Sequence, residues 1–181
     1  MKILILSDIH GDAESLGNVL ERFTEEKADK MLILGDILYH GPRNDLPSGY
    51  NPKKVIPMLS EIKEKIIAVR GNCDTEVDQM VLPFPILSDY SYVLADGLTI
   101  LATHGHKYSP EAPPPLSEGT VLLGGHTHVP GFADMPGGCF YVNPGSISLP
   151  KENNPKTYAV YENRKITIKR LDGTVFKEKN F

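Results

Sequence analysis

Five short apolar runs set the frame of this chain: Ile3–Leu6, Met31–Leu34, Ile66–Val69, Leu98–Ala102 and Val121–Leu123. Each is continuous rather than alternating, which predicts strands buried on both faces, as in sheets covered by helices or by another sheet. Between the first two, Leu16, Val19, Leu20 and Phe23 recur at i, i+3, i+4 and i+7. That is a single helical stripe, with Asp12 available as its N-cap. Val55, Ile56, Leu59 and Ile62 repeat the pattern before the third run, where Pro57 predicts a late start or a kink. The first half therefore reads β-α-β-α-β, an order that favours parallel strands joined by right-handed crossovers.

The second half changes character. Tyr92–Ala95, Asp96-Gly97 and Leu98–Thr103 read as a hairpin with a two-residue turn. Phe140–Val142, Thr157–Tyr161, Lys165–Lys169 and Thr174–Phe176 are further short strands, with Asn163 and Asp172-Gly173 as turn residues. Two loops are long and rich in Pro and Gly: Tyr39–Asn51 and Gly105–Gly119. The second carries Pro110 and Pro113–Pro115 and is expected to form a stiff wall or lid over the site. With no repeat, linker or low-complexity tract, residues 1–181 read as one domain.

Composition removes several classes of function. A charge of −4, from 19 basic and 23 acidic residues, argues against a long nucleic-acid partner. No apolar run approaches the ~20 residues of a membrane span, and the apolar stretch after Met1-Lys2 is too short for a secretory signal. Cys73 and Cys139 have neither metal spacing nor a disulfide framework, so a reducing cytoplasm is expected. A homo-oligomer stays open.

Each apolar run leads into a polar segment, and the five segments are of one kind. The first is Ser7-Asp8-Ile9-His10-Gly11, the second Gly35-Asp36 and the third Gly71-Asn72-Cys73-Asp74. The fourth is Thr103-His104-Gly105-His106, the fifth Gly124-Gly125-His126-Thr127-His128. Singly, each motif could be a cap or a turn. Together they place Asp8, His10, Asp36, Asn72, His104, His126 and His128 at strand ends, where loops of an open α/β sheet converge on one crevice. Alternate residues such as His126 and His128 face one way only if the backbone bends, and Gly124-Gly125 is expected to supply that bend. Imidazole, carboxylate and amide donors without thiolate favour Mn, Fe, Zn, Ni or Co. Seven donors exceed one tetrahedral ion and suit two ions sharing a carboxylate.

Asp8-x-His10, Gly35-Asp36, Gly71-Asn72-x-Asp74, His104 and Gly125-His126-x-His128 resemble, in order, the five-block signature of calcineurin-like metallophosphoesterases. The short length and the Cys after Asn72 resemble the small prokaryotic phosphodiesterase branch of that superfamily. The resemblance implies a mixed α/β fold, a two-sheet β sandwich flanked by helices in four layers, with a dinuclear site along one edge. It implies that Asp8, His10, Asp36 and His128 hold one divalent transition metal, manganese first. Asp36, Asn72, His104 and His126 would hold the other, with Asp36 bridging. A hydroxide between the ions would attack a small phosphodiester in line, so no protein nucleophile is required.

Around that set, Asn72, Asp74, Cys73 and His106 form the candidate catalytic group. Asp74 reads as orienting a neighbour or the loop. Cys73 stands where the wider family places a His, and a thiol is a poorer proton donor to an alkoxide. His106, or His40 and Arg43 in the long second loop, are candidates for the missing function, and Arg43 could fork onto a phosphate. Lys107 and Arg70 are weaker candidates, and Cys139 reads as core. Diesters are preferred over monoesters because the positive trap for a dianion looks thin. The contrasting reading is a non-catalytic scaffold, similar to the retromer scaffold subunit, which has this fold with an altered metal site.

Overall fold

The computed structural model describes all 181 residues. In chain order the elements are β1 (Ile3–Leu6), α1 (Ala13–Glu25), β2 (Lys30–Ile33), α2 (Pro52–Ser60), β3 (Ile66–Ala68) and α3 (Glu76–Val81). They continue with β4 (Tyr90–Ala95), β5 (Leu98–Thr103), β6 (Val121–Leu123), β7 (Gly131–Met135) and β8 (Cys139–Asn143), then β9 (Thr157–Glu162), β10 (Lys165–Arg170) and β11 (Val175–Asn180). One mixed sheet runs β11-β10-β9-β1-β2-β3 and the other β4-β5-β6-β8-β7. Strands β1, β2 and β3 are parallel, as are β5, β6 and β8, so each sheet gathers several carboxyl ends on one edge.

Strand alternation divides the core. Leu4 and Leu6 point outward to Leu16, Val19 and Phe23 of α1 and Val55 and Leu59 of α2, whereas Ile3 and Ile5 point inward to Ile100, Val121 and Leu123 of the other sheet. Each apolar side chain buried this way contributes about 1.5–3 kcal/mol, which is why α1 holds its stripe against the sheet. The outer face of the five-stranded sheet has a thinner cover, with Leu101, Leu122, Met135 and Cys139 packed against Leu116 and Tyr141.

Helix α1 is capped as the sequence predicts, the Asp12 side chain accepting from the Ser15 N–H. Helix α2 departs from expectation: it starts early at Pro52 and runs through Pro57. Pro52 is preset for the first helical turn and the Asn51 side chain accepts from the Lys54 N–H, so the start is fixed before Pro57 matters. Two elements carry no apolar periodicity in the sequence. Helix α3 exposes Val77 and Met80 and is held by a reciprocal Thr75–Asp78 capping box, while β7 pairs along β8 despite its Gly and Asp.

Candidate metal centre

The two sheets present their carboxyl ends to a common edge, and the predicted donors meet there. Loop pairing extends beyond the strands: the His10 N–H donates to the Asp36 carbonyl at 2.9 Å, and the Gly125 N–H to the His104 carbonyl at 2.7 Å. Five of the seven donors, Asp8, His10, Asp36, His126 and His128, adopt left-handed backbone with φ between 47° and 64°. Outside glycine this conformation costs about 1–2 kcal/mol per residue and clusters at functional sites.

The same observation corrects the expected role of Gly124-Gly125. Neither glycine has positive φ; the bend that turns His126 and His128 lies at the histidines themselves. Gly125 serves by its missing side chain, since a Cβ there would run into Ser7 Oγ and approach Asp8 Oδ2 to 2.8 Å.

Each central carboxylate divides its oxygens between backbone and centre. Asp8 Oδ2 accepts from the His126 N–H at 3.1 Å, and Asp36 Oδ1 from the Cys73 N–H at 2.8 Å. The other two oxygens face imidazoles. Asp8 Oδ1 lies 3.1 Å from His128 Nε2, 3.7 Å from His10 Nε2 and 4.0 Å from His104 Nε2. Asp36 Oδ2 lies 3.7 Å from His10 Nε2 and 3.5 Å from His104 Nε2. Asn72 presents its amide oxygen 3.0 Å from His104 Nε2.

The histidines are oriented from behind. His10 Nδ1 donates to the Tyr39 carbonyl, His104 Nδ1 to that of Leu34 and His128 Nδ1 to that of Leu149. A ring that donates through Nδ1 keeps its Nε2 lone pair free, the arrangement of a metal-ligating histidine. Lone pairs of imidazole and carboxylate then face one another in a buried space, and Asp8 Oδ1 has no hydrogen-bond donor. Only positive charge reconciles them.

The titration tendencies say the same. Burial opposes ionisation of Asp8, but His128, His104 and His10 outweigh it and hold its carboxyl below the usual range. Burial resists a charge on His104, yet Asp36 and Asp8 raise its pKa to about 9. The donor set therefore fits a cation. Asp8, His10 and His128 form one three-donor group, Asp8, Asp36 and His104 another, and a third brings the Cys73 thiol beside His10 and Asp36, with Asp36 Oδ2 standing between His10 and His104. The His126 ring lines the cleft edge, its centroid 5.1 Å from that of His104 and outside all three groups.

Asp74 touches backbone only. Its carboxylate accepts from the N–H groups of Asp36 (2.8 Å), Ile37 (2.9 Å) and Gly71 (2.7 Å), locking the loops after β2 and β3 together. Burial pushes its carboxyl up to about 6 against those three donors. The Cys73 thiol lines the cleft, and burial together with Asp36 pushes it up to about 12.

The other catalytic and binding candidates separate. Arg43 lines the cleft. His40 does not: its ring packs edge-on against Tyr39 and Tyr50. His106 also lies outside the cleft wall, its ring 5.3 Å from that of His104, and burial with the neighbouring His104 lowers its pKa. Lys107 pairs with Asp89 at 2.7 Å, and Arg70 Nε donates to the Asp74 carbonyl. Cys139 is core, as expected.

The Gly105–Gly119 segment is not a lid. Leu116 packs on the outer face of the five-stranded sheet, and Pro114 and Pro115 line a groove with Tyr90, Tyr92 and Tyr108. None of this segment lines the cleft; half-buried Leu116 anchors it on the thinly covered outer face instead. The Tyr39–Asn51 loop does reach the cleft, through Gly41, Pro42, Arg43 and Asn44.

One brace carries no ligand and is not foreseen by the motifs. Ser146 Oγ and Ser148 Oγ both donate to the Asp8 carbonyl at 2.9 Å. Asn143 Nδ2 donates to the Gly125 carbonyl at 2.8 Å, and the Leu149 carbonyl receives the His128 ring. The Asn143-Pro144-Gly145 turn at the end of β8 is the available signal, but it reads as an ordinary turn.

A family model described as the calcineurin-like phosphoesterase superfamily domain matches residues 1–165. Phosphodiesterase YfcE of Escherichia coli strain K12 is 47% identical over 172 residues, covering 95% of this chain and 93% of that protein. The solved structure of Yfce, a phosphoesterase from E. coli, superposes with a TM-score of 0.95 at 45% identity over 99% of each chain. Vps29 of Chaetomium thermophilum shares the fold alone, with a TM-score of 0.61 at 16% identity over 100% of this chain and 98% of that one.

Proposed function

Because the chain belongs to the calcineurin-like phosphoesterase superfamily, we propose that it is a phosphodiesterase working with two divalent transition-metal ions, manganese first among Mn, Fe, Zn, Ni and Co. One observation carries this reading: Asp8 Oδ1 and Asp36 Oδ2 face three imidazole Nε2 atoms whose Nδ1 protons are all engaged by backbone carbonyls. Asp8, His10, Asp36 and His128 would hold one ion, and Asp36, Asn72, His104 and His126 the other, with Asp36 shared. When bound, such ions supply Lewis acidity toward phosphoryl oxygens and a water made nucleophilic at neutral pH.

The chain's own residues do the rest. Asp74 fixes the backbone on either side of the shared carboxylate. Arg43 lines the cleft beyond the donors. Cys73 carries no positive charge and parts with its proton reluctantly, so a leaving group departs with little protonic help. That favours diesters with acidic leaving groups over alkyl diesters. The name phosphodiesterase borne by the E. coli relative supports the same substrate class. A small diester suits the net charge of −4, and the two free thiols suit a reducing cytoplasm. The scaffold reading gains nothing from this site, where all seven donors stand on one edge and Vps29 is similar in fold only.

The test is metal analysis of the purified chain followed by chelation and readdition. Chelation should abolish hydrolysis of bis(p-nitrophenyl) phosphate, Mn²⁺ should restore it, and a p-nitrophenyl alkyl diester should react far faster than a dialkyl diester. Undiminished hydrolysis after exhaustive chelation would overturn the metal-dependent reading.

A further inference from the structure

The cleft over the donor set has a volume of about 300 Å³, and part of its wall is made of residues that are not metal-ligand candidates. Besides the Cys73 thiol, that part comes from the Gly41–Asn44 stretch and from Lys151. Both Arg43 and Lys151 are exposed, and neither pairs with a carboxylate anywhere in the chain.

The placement of Lys151 is built. Asn44 Nδ2 donates to the His40 carbonyl at 2.9 Å, while its Oδ1 accepts from Lys151 Nζ at 3.2 Å. Asn44 thus spends its amide on tying the two loops together. Lys151 is also anchored by its backbone, whose N–H donates to the His128 carbonyl at 3.4 Å, two residues beyond the Leu149 carbonyl that orients the His128 ring. A lysine ammonium has three donors, and Asn44 accepts one of them. The metal edge thereby holds a cation at fixed reach that is not itself a ligand.

The wall also excludes alternatives. Apart from imidazoles it has no aromatic ring, and beyond Pro42, Cys73 and the stems of Arg43 and Lys151 no apolar group. It offers no apolar surface broad enough for a lipid tail. The single charge of a diester phosphorus belongs at the metal edge, leaving Arg43 and Lys151 without a counter-charge.

We propose that Lys151, positioned by Asn44, and the neighbouring Arg43 form a second anion subsite, and that the substrate is a small phosphodiester bearing a further anionic group on one ester arm. This rests on the phosphodiesterase reading of the same site. The experiment compares three esters with one leaving group: propyl, 2-carboxyethyl and 2-phosphoethyl p-nitrophenyl phosphate, with the Mn²⁺-loaded chain. Calorimetric binding of propylphosphonate and 2-carboxyethylphosphonate supplies a readout independent of turnover.

The anionic esters should exceed the propyl ester in kcat/KM by about five- to tenfold, the scale of one or two exposed charge contacts. The 2-carboxyethyl and 2-phosphoethyl arms tell which anion is favoured. The preference should vanish in Arg43→Met/Lys151→Met and shrink in Asn44→Ala through KM rather than kcat. Equal kcat/KM for all three esters, or a preference that survives in the double variant, overturns the subsite. If none of the esters is hydrolysed with any of the five metals, the phosphodiesterase reading fails instead. The phosphonates then decide the subsite alone: tighter binding of the carboxylate form, lost in the double variant, supports it, and equal binding overturns it.

Discussion

Two regions of the molecule use the same unusual backbone for different reasons. At the β4–β5 and β9–β10 hairpins, Asp96 (φ 52°), Asn163 (φ 50°) and Arg164 (φ 62°) are left-handed and exposed. At the metal edge, Asp8, His10, Asp36 and His128 are left-handed and buried. In the hairpins the conformation is rewarded locally, because a two-residue turn of that hand matches the twist of the strands it joins. At the metal edge the reward comes from far along the chain. Asp74 holds the Asp36 N–H from 38 residues away, and Ser146 and Ser148 hold the Asp8 carbonyl across 138 and 140 residues. A hairpin can therefore lose one contact and re-form, whereas the metal edge is only as rigid as its remote supports.

The largest break in that contrast is Asp36→Asn. Asp36 Oδ2 stands between His10 and His104, and its Oδ1 pins the loop at Cys73. Removing its charge should lower kcat for diester hydrolysis by about three orders of magnitude, the scale of several kcal/mol lost from a metal-assisted step. Metal content should fall with it. A variant that kept its metal content and lost less than about tenfold would remove Asp36 from the centre.

Asp74→Asn comes next and strikes the support rather than the donors. The new NH₂ group would face a backbone N–H in place of an acceptor oxygen. The loss should be about 2–4 kcal/mol in urea unfolding, since one or two buried donors are left unpaired. Metal affinity should drop about 10- to 100-fold, as when the partners behind metal ligands are removed. Unchanged metal affinity would mean that the left-handed Asp36 backbone needs no outside brace.

Ser146→Ala is milder. Ser146 Oγ donates to the Asp8 carbonyl and accepts from the N–H groups of Ser148 (3.1 Å) and Leu149 (2.9 Å). Ser148 Oγ still reaches the same carbonyl, so about 1–2 kcal/mol of stability should be lost, with a smaller fall in metal affinity than for Asp74→Asn. A larger fall than in Asp74→Asn would reverse the order of the two braces.

This contrast also explains what is legible in the sequence. Hairpins and donors are readable because each is encoded by residue type within a few positions: Asp96-Gly97 between apolar strands, or Asp8-x-His10 after Ile3–Leu6. The parallel order of β1, β2 and β3 follows from the helical stripes between them. Supports are not readable. Ser146 and Ser148 look like solvated loop serines, Asn143 like a turn residue and Lys151 like a surface charge, until the fold brings them to Asp8, Gly125 and Asn44. Local rules credit glycine with positive φ and so place the bend at Gly124-Gly125, yet a remotely supported edge imposes it on His126 and His128. A Pro-rich segment that begins beside His104 reads as a lid; the packing of half-buried Leu116 on the outer sheet face decides otherwise.

The smallest expected effect lies at the other end of the comparison, in Gly97→Ala. Gly97 has φ 72°, and a Cβ built there finds its nearest neighbour, Arg164 Nη1, at 3.8 Å. Space is therefore available and only the backbone objects, which costs about 1 kcal/mol for a left-handed alanine. Gly125 is the reverse case, with permissive φ but with Ser7 and Asp8 in the way of any side chain. Two glycines thus separate conformational from spatial constraint in one molecule. Gly97→Ala should lower the urea midpoint by an amount equivalent to about 1 kcal/mol while leaving metal content and kcat unchanged, because the turn shares no support with the metal edge. A loss of bound metal in Gly97→Ala would show that the hairpin and the metal edge are coupled, and that the division between local and remote reward drawn from their backbones is false.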